Sequence, residues 1–283
     1  MKTNQTVWMA SPRFRSADHR IRTALGSTAL IGLGGLALSA IGPRRRVLHR
    51  AERRWGSIAR RFLRLQVDAS GLEHIDSNEQ YVVMPLHEGF MDAVLLLDLP
   101  LDLRFTVRDE LLEWHHLGLY LRRTGQLVIP TGSSVAMLRH LYREAAATFD
   151  RGESLVIFPQ GSILGIEAAF ERGAFRLAER FDRPLLPIVI TGTHRVWEHP
   201  YSSTLRYGQR VSFRVLEPIP GAEAARRARS IEQQMKDVAL QAGMAPVRRF
   251  VPERDGWWDG YAFEIDPDYP DLAAAIEARR RGQ

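Results

Sequence analysis

The sequence predicts an α/β fold: a mostly parallel-to-mixed central sheet flanked by helices, with an N-terminal membrane-associating helical arm. Strand-like runs alternate with helix-like runs from about residue 66 onward, the order of a sheet with both faces covered. Two runs, Ser154-Leu155-Val156-Ile157-Phe158 and Leu185–Thr191, are almost continuously apolar, which marks strands buried on both sides. Ahead of them, 21 uncharged residues, Thr23–Pro43, lead into an arginine-rich helical pattern.

The arm comprises residues 1–65. Thr23–Pro43 is long enough for a bilayer, which needs about 20 apolar residues. Its glycines at 26, 32, 34, 35 and 42 make it a poor helix in water. Arginines flank it on both sides, so charge sets no orientation. A span, a shallow or re-entrant helix with both ends on the cytoplasmic face, and a signal peptide all fit. From about Val47 to Leu65, the residues Leu48, Ala51, Trp55, Ile58 or Ala59, and Phe62 recur at helical spacing, with arginines mostly elsewhere around the helix. This basic amphipathic pattern suits a membrane interface, and equally a helix docked on the protein's own core.

The α/β domain is expected over residues 66–245. Strand candidates are Leu65–Ala69, Tyr81–Met84, Leu103–Val107, Gln126–Ile129, Ser154–Phe158, Leu185–Thr191 and Val211–Val215. Helix candidates are a run after Asp92, a broken region over Leu111–Arg123, then Val135–Phe149, Ala168–Phe181 and Gly221–Gly243. The tail, 246–283, packs four aromatics into Trp257–Phe263, as a core plug, an acyl-pocket lining or an interfacial cluster. It ends in a helix candidate, Asp271–Gln283.

Composition narrows the chemistry. A chain of 283 residues buries a sizeable core. It has no cysteine, so disulfides, thiolate metal ligands and a cysteine nucleophile are excluded. The net charge of +6 hides an asymmetry: residues 1–65 carry 14 basic and two acidic residues, the remainder 25 and 31. A basic arm with a glycine-rich apolar stretch inside it fits an anionic membrane surface rather than nucleic acid.

The chemistry-bearing stretch is Met84-Pro85-Leu86-His87-Glu88-Gly89-Phe90-Met91-Asp92. An apolar strand-like run, Tyr81–Met84, ends in this stretch and a helix-like run, Ala93–Leu97, begins just after it; a helix starting near Gly89 places Asp92 in its first turn, at a junction where α/β proteins expose reactive groups between rigid flanks. In the first helical turn, the Asp92 carboxylate reaches back to the imidazole and fixes its tautomer, as a base and its orienter require. The plain alternative is a loop histidine beside a helix-capping aspartate. His194-Arg195-Val196-Trp197-Glu198-His199 lacks helical metal-ligand spacing, and no metal site is expected.

Four segments in order resemble the glycerolipid and lysophospholipid acyltransferase family (1-acylglycerol-3-phosphate acyltransferase-like). His87-Glu88-Gly89-Phe90-Met91-Asp92 is similar to its His-x-x-x-x-Asp block, and Phe105–Leu111 to the basic-x-Glu-Leu stretch after it. Gly125–Thr131 resembles the second block, Gly-x-x-Phe-Ile-x-Arg. Phe158-Pro159-Gln160-Gly161-Ser162 resembles the third, Phe-Pro-Glu-Gly-Thr-Arg, and Leu186–Ile190 the Val-Pro strand of the fourth. The resemblance implies transfer of a fatty acyl group from acyl-CoA or acyl-carrier protein to a hydroxyl of a lysophospholipid, without an acyl-enzyme. His87 would be the general base and Asp92 its orienter. Arg108, Thr131, Gln160, Gly161 and Ser162 would line the substrate. Backbone near Gly161 is the candidate oxyanion donor. No cofactor is implied beyond the thioester co-substrate. The partners are membrane lipids and the acyl donor, with no nucleic acid, at the cytoplasmic face of the cell membrane.

The chain departs from the family where the acceptor's phosphate is held. The second block's Arg is Thr131, and the third block's Glu and Arg are Gln160 and Ile163. Losing two guanidiniums removes two bidentate phosphate partners. An acyltransferase for a non-phosphate lysolipid and a weakly active membrane lipid-binding homologue are therefore the alternative readings.

Overall fold

The structure, a computed structural model, describes residues 33–41, 44–89, 91–113, 115–129, 135–161, 166, 168–196, 206–244 and 274. The strands are β1 (Gln66–Ser70), β2 (Val82–Leu86), β3 (Leu103–Arg108), β4 (Leu127–Ile129), β5 (Ser154–Val156), β6 (Leu185–Thr191) and β7 (Arg210–Val215). They form one sheet in the order β1-β7-β6-β2-β5-β3-β4. Every strand pairing in the sheet is parallel except β6 with β7, and an isolated antiparallel bridge joins Leu185 to Ile219. The helices are α1 (Gly34–Ile41), α2 (Arg45–Phe62), α3 (Asp92–Leu96), α4 (His115–Thr124), α5 (Val135–Asp150), α6 (Gly173–Phe181), α7 (Gly221–Ala224) and α8 (Ala228–Gln241).

β2 runs through the middle, and all five of its residues are buried. Its side chains alternate between two cores. Val82, Met84 and Leu86 pack with Leu141 of α5, Phe175 of α6 and Ile231 of α8. Val83 packs on the opposite side with Ala59 of α2 and Leu95 of α3. A proline inside a central strand normally breaks a ladder. Pro85 is tolerated because odd-numbered residues of β2 face β5: Tyr81 and Val83 carbonyls accept from Leu155 and Ile157. The paired register with β5 ends at Val83↔Val156. The absent N–H of Pro85 thus points past the end of that ladder.

Several element boundaries differ from the sequence expectation: β5 ends at Val156 rather than Phe158, and β2 runs to Leu86 rather than Met84. The helix expected over Ala168–Phe181 starts at Gly173. Upstream, the Phe170 N–H donates to Glu232 Oε1 (3.0 Å) and the Glu171 N–H to the Pro159 carbonyl (2.7 Å), so distant partners hold these residues out of the helix. The run Gly221–Gly243 is two helices, α7 and α8, rather than one.

The arm's second helix is docked. Leu48 and Ala59 of α2 are fully buried. Gly34 of α1 lies so close to Trp55 that a Cβ there would fall 1.9 Å from the indole nitrogen. Ile58 (53% exposed) and Phe62 (42%), expected on the apolar face, instead stand in solvent with Val47. Part of the buried face is polar. His49 Nδ1 meets Glu52 Oε2 at 3.0 Å and His49 Nε2 meets Glu153 Oε1 at 2.7 Å, with all three side chains nearly inaccessible. Arg45 donates to Glu153 Oε2 (2.8 Å) and to the Thr124 carbonyl, Arg151 adds a further bond to Glu153 (2.9 Å), and Tyr120 donates to Glu52 (2.5 Å). Among the described residues, no helix is long and apolar enough to cross a membrane. The sequence expectations for residues 1–32, including Thr23–Gly32 of the apolar stretch, and for the 246–283 tail lie outside the described residues, apart from position 274.

This network makes docking pH-dependent. Burial alone pushes the His49 imidazole toward neutrality, but the carboxylates of Glu153 and Glu52 outweigh it and raise its pKa from 6.5 to about 9. Burial pushes Glu153 up, and hydrogen bonds from His49 and Arg45 outweigh it, so its pKa falls from 4.5 to about 2. A raised folded-state pKa contributes stability in full below pH 6.5 and loses it as pH rises through about 9. A depressed one contributes above 4.5 and loses it as pH falls toward about 2. Thermal melts are expected to decline between pH 6.5 and 9 in the wild type, and this decline should vanish in His49→Leu. The variant, with two buried carboxylates left facing each other, should lose about 3–5 kcal/mol at pH 7.

Candidate active site

The C-terminal ends of β2, β3, β5 and β6 open on one edge of the sheet, where open α/β sheets place ligands. His87 follows β2 directly, with 18% of its side chain exposed. The chain then turns back, the Asp92 N–H bonding the Gly89 carbonyl at 3.1 Å as α3 begins. The turn folds around a carboxylate. Asp92 is wholly buried, and its Oδ2 accepts from His87 Nδ1 (2.7 Å), the Glu88 N–H (2.7 Å) and the Gly89 N–H (3.0 Å). With two backbone N–H groups already donating to it, Oδ2 is an acceptor, and the tautomer that fits this contact carries the ring proton on Nδ1 and the lone pair on Nε2.

The segment after β5 holds His87 from its other side. The Phe158 ring stacks on the imidazole, with centroids 3.9 Å apart and planes 27° apart. Gln160 is buried; its Oε1 accepts the His87 N–H (3.2 Å) and its Nε2 lies 3.5 Å from the His87 carbonyl. His87 is an odd-numbered neighbour of Pro85, so its backbone also faces the β5 side. Past the end of β5, the Gln160 side chain stands in for the missing strand. Gly161 closes a turn, its N–H directed at the Phe158 carbonyl (3.4 Å), and its own carbonyl accepts from Arg108 Nη1 at the end of β3 (3.2 Å).

Five of the seven sequence-predicted site residues, His87, Asp92, Arg108, Gln160 and Gly161, thus meet at one edge. Thr131 and Ser162 lie outside the described residues. Gln160 touches the backbone of His87. Three neighbours lie outside the sequence-predicted set. Phe158 enters the sequence pattern only as the first residue of the third block. Glu88 is buried and accepts the Thr193 N–H on Oε2 (2.9 Å). Thr193, also buried, donates its hydroxyl proton to Asp92 Oδ1 at 2.5 Å. Its only sequence signal was Gly192 just past the apolar strand: φ is +93° there, and a Cβ would sit 2.7 Å from the Arg210 carbonyl. Among the described residues, no group of three or more His, Cys, Asp or Glu side chains is arranged to hold a metal ion.

A family model described as Acyltransferase matches residues 66–191, from β1 to the last residue of β6. The matched segment, less than half of the chain, contains His87, Asp92 and the 158–161 turn, and ends two residues before Thr193. Sequence relatives extend the likeness. The chain is 26% identical over 184 residues to the chloroplastic 1-acyl-sn-glycerol-3-phosphate acyltransferase BAT2 of Brassica napus, covering 64% of this chain and 53% of that protein. It is 26% identical over 226 residues to 1-acyl-sn-glycerol-3-phosphate acyltransferase alpha of Homo sapiens, covering 76% of each. The chain therefore spans about half the length of the Brassica relative. The crystal structure of the 1-acyl-sn-glycerophosphate acyltransferase PlsC from Thermotoga maritima superposes with a TM-score of 0.62 at 21% identity, covering 80% of this chain and 98% of that one, and shows the same fold.

Gln160→Ala removes the acceptor for the His87 N–H in a buried setting. It is expected to cost about 1–3 kcal/mol, read as a lower thermal midpoint.

Proposed function

We propose that this chain is an O-acyltransferase that moves a fatty acyl group from acyl-CoA or acyl-carrier protein to a hydroxyl of a lysophospholipid, with 1-acylglycerol-3-phosphate as the acceptor type. One observation carries the reading: His87 Nδ1 is bonded to a buried Asp92, so Nε2 is held as a base at the end of the parallel strands. The names of the relatives support this acceptor class. His87 Nε2 takes the proton from the acceptor hydroxyl as its oxygen attacks the thioester carbonyl carbon. The tetrahedral intermediate collapses, the C–S bond breaks, and the imidazolium returns its proton to the leaving thiolate. Asp92 holds the ring's tautomer and balances the imidazolium charge between these steps.

Arg108 and Gly161 hold the acceptor, a role that the family resemblance also gives to Ser162 and Thr131, and Gln160 acts from behind His87 through its backbone. A non-phosphate lysolipid is the second reading, favoured by the same glutamine: it is neutral, buried and bonded to His87, where the family carries an acceptor-associated Glu. The exposed Leu33, Leu36, Val47, Ile58 and Phe62, beside the arginines of α2, support attachment to the cytoplasmic membrane surface.

Thiol release from several acyl-CoAs, assayed with lysophosphatidate, other lysophospholipids and a non-phosphate lysolipid, tests this. Turnover should require an acceptor. His87→Ala and Asp92→Asn should each lower it by about 10²–10⁴-fold. A folded His87→Ala that keeps full activity would sink the assigned role. Activity on the non-phosphate acceptor alone would favour the second reading.

A further inference from the structure

We propose that Thr193 is a positioning residue for the His87–Asp92 pair: its hydroxyl, by bonding Asp92 Oδ1, sets the plane of the carboxylate and so the aim of Oδ2 at the imidazole. The proposal rests on the acyl-transfer reading for its kinetic consequence only. The three N–H donors from His87, Glu88 and Gly89 all end on Oδ2. They act on one oxygen of the carboxylate and leave the other without a donor from the turn. The Thr193 hydroxyl, 2.5 Å from Oδ1, holds that second oxygen and so restrains the carboxylate torsion from the opposite side. It comes from a different element, the turn at the end of β6, whereas the other donors belong to the turn that carries Asp92 itself.

Thr193 suits the task on three counts. It is wholly buried, so water does not compete for Oδ1. Its backbone N–H is bonded to Glu88 Oε2 at 2.9 Å, which fixes the residue against the same turn it orients. Its β-branched side chain restricts χ1, so the hydroxyl needs little further ordering. β6 pairs in parallel register with β2 over the full length of β2, from Val82↔Leu185 to Leu86↔Val189. The two sheet neighbours that end at the base and at Thr193 are therefore locked in step. A misplacement of about 1 Å at a reacting group costs about 10²-fold in rate, so the aim of Asp92 bears directly on turnover.

The test compares wild type with Thr193→Val, Thr193→Ser and Thr193→Ala by two readouts. The first is NMR of the His87 ring in ¹⁵N-histidine-labelled protein. Wild type and Thr193→Ser should show a downfield, exchange-protected Nδ1–H, which Thr193→Val should lose to exchange with solvent while its amide spectrum stays native. Thr193→Ala, which also keeps the N–H to Glu88, carries the comparison if the valine variant does not fold. The second readout is steady-state thiol release: kcat should fall about 10- to 100-fold in Thr193→Val, with KM within twofold and serine restoring the rate. A protected Nδ1–H in the valine or alanine variant equal to that of wild type, or its absence in wild type, would overturn the proposal, as would an unchanged kcat in an active enzyme. If wild type turns over no acceptor, the acyl-transfer reading fails while the NMR comparison still decides the role of Thr193.

Discussion

The buried carboxylate of Asp92 is the constraint on which this edge of the sheet depends. A carboxylate without water must be surrounded by donors, because an unpaired buried charge costs more than any single contact returns. Each donor that Asp92 collects places a piece of chain. The Glu88 and Gly89 N–H groups curl the 87–92 turn around it, His87 presents Nδ1, and Thr193 arrives from the end of β6. The geometry that keeps the carboxylate satisfied is also the one that leaves His87 Nε2 as the basic nitrogen. Stability and chemistry draw on the same bonds.

A second buried charge cluster performs a comparable task at the other end of the domain. Glu153, between α5 and β5, gathers His49, Arg45 and Arg151. Through it, helix α2 of the basic arm is fixed to the sheet with a defined rotation, which leaves Val47, Ile58 and Phe62 outward. A purely apolar contact would not have selected that rotation, since Ile58 and Phe62 are as hydrophobic as the residues that are buried. The ionic contacts, with the close approach of Gly56 to Val94 and Leu97, hold the inward face of this amphipathic helix.

What the sequence made legible was local. The apolar runs Tyr81–Met84 and Leu185–Thr191, which supply the start of β2 and all of β6, and the strand-to-helix junction around His87 are visible because period, apolar runs and breakers act over a few residues. The five-residue reach from His87 to Asp92 is likewise within one turn. What stayed hidden depends on partners far apart in the chain. His49 meets Glu153 across 104 positions, and Thr193 meets Asp92 across 101. The late start of α6 follows from two N–H groups claimed by Pro159 and Glu232, which no helical periodicity contains. Gln160 illustrates the limit best. By analogy with its family block it belongs to the substrate side, yet its side chain turns inward because the backbone of His87 runs beyond the last residue of β5 and needs a partner.

The proposed reaction is direct transfer, in which His87 would activate the acceptor hydroxyl and the protein itself would never carry the acyl group. Intact-mass spectrometry of the wild-type protein mixed with acyl-CoA, with thiol release followed in the same sample, tests this most directly. Direct transfer predicts no acyl increment on the protein at any time, and thiol release that begins only when a lysolipid acceptor is added. A stoichiometric acyl adduct on the chain, with a burst of thiol before any acceptor is present, would contradict it.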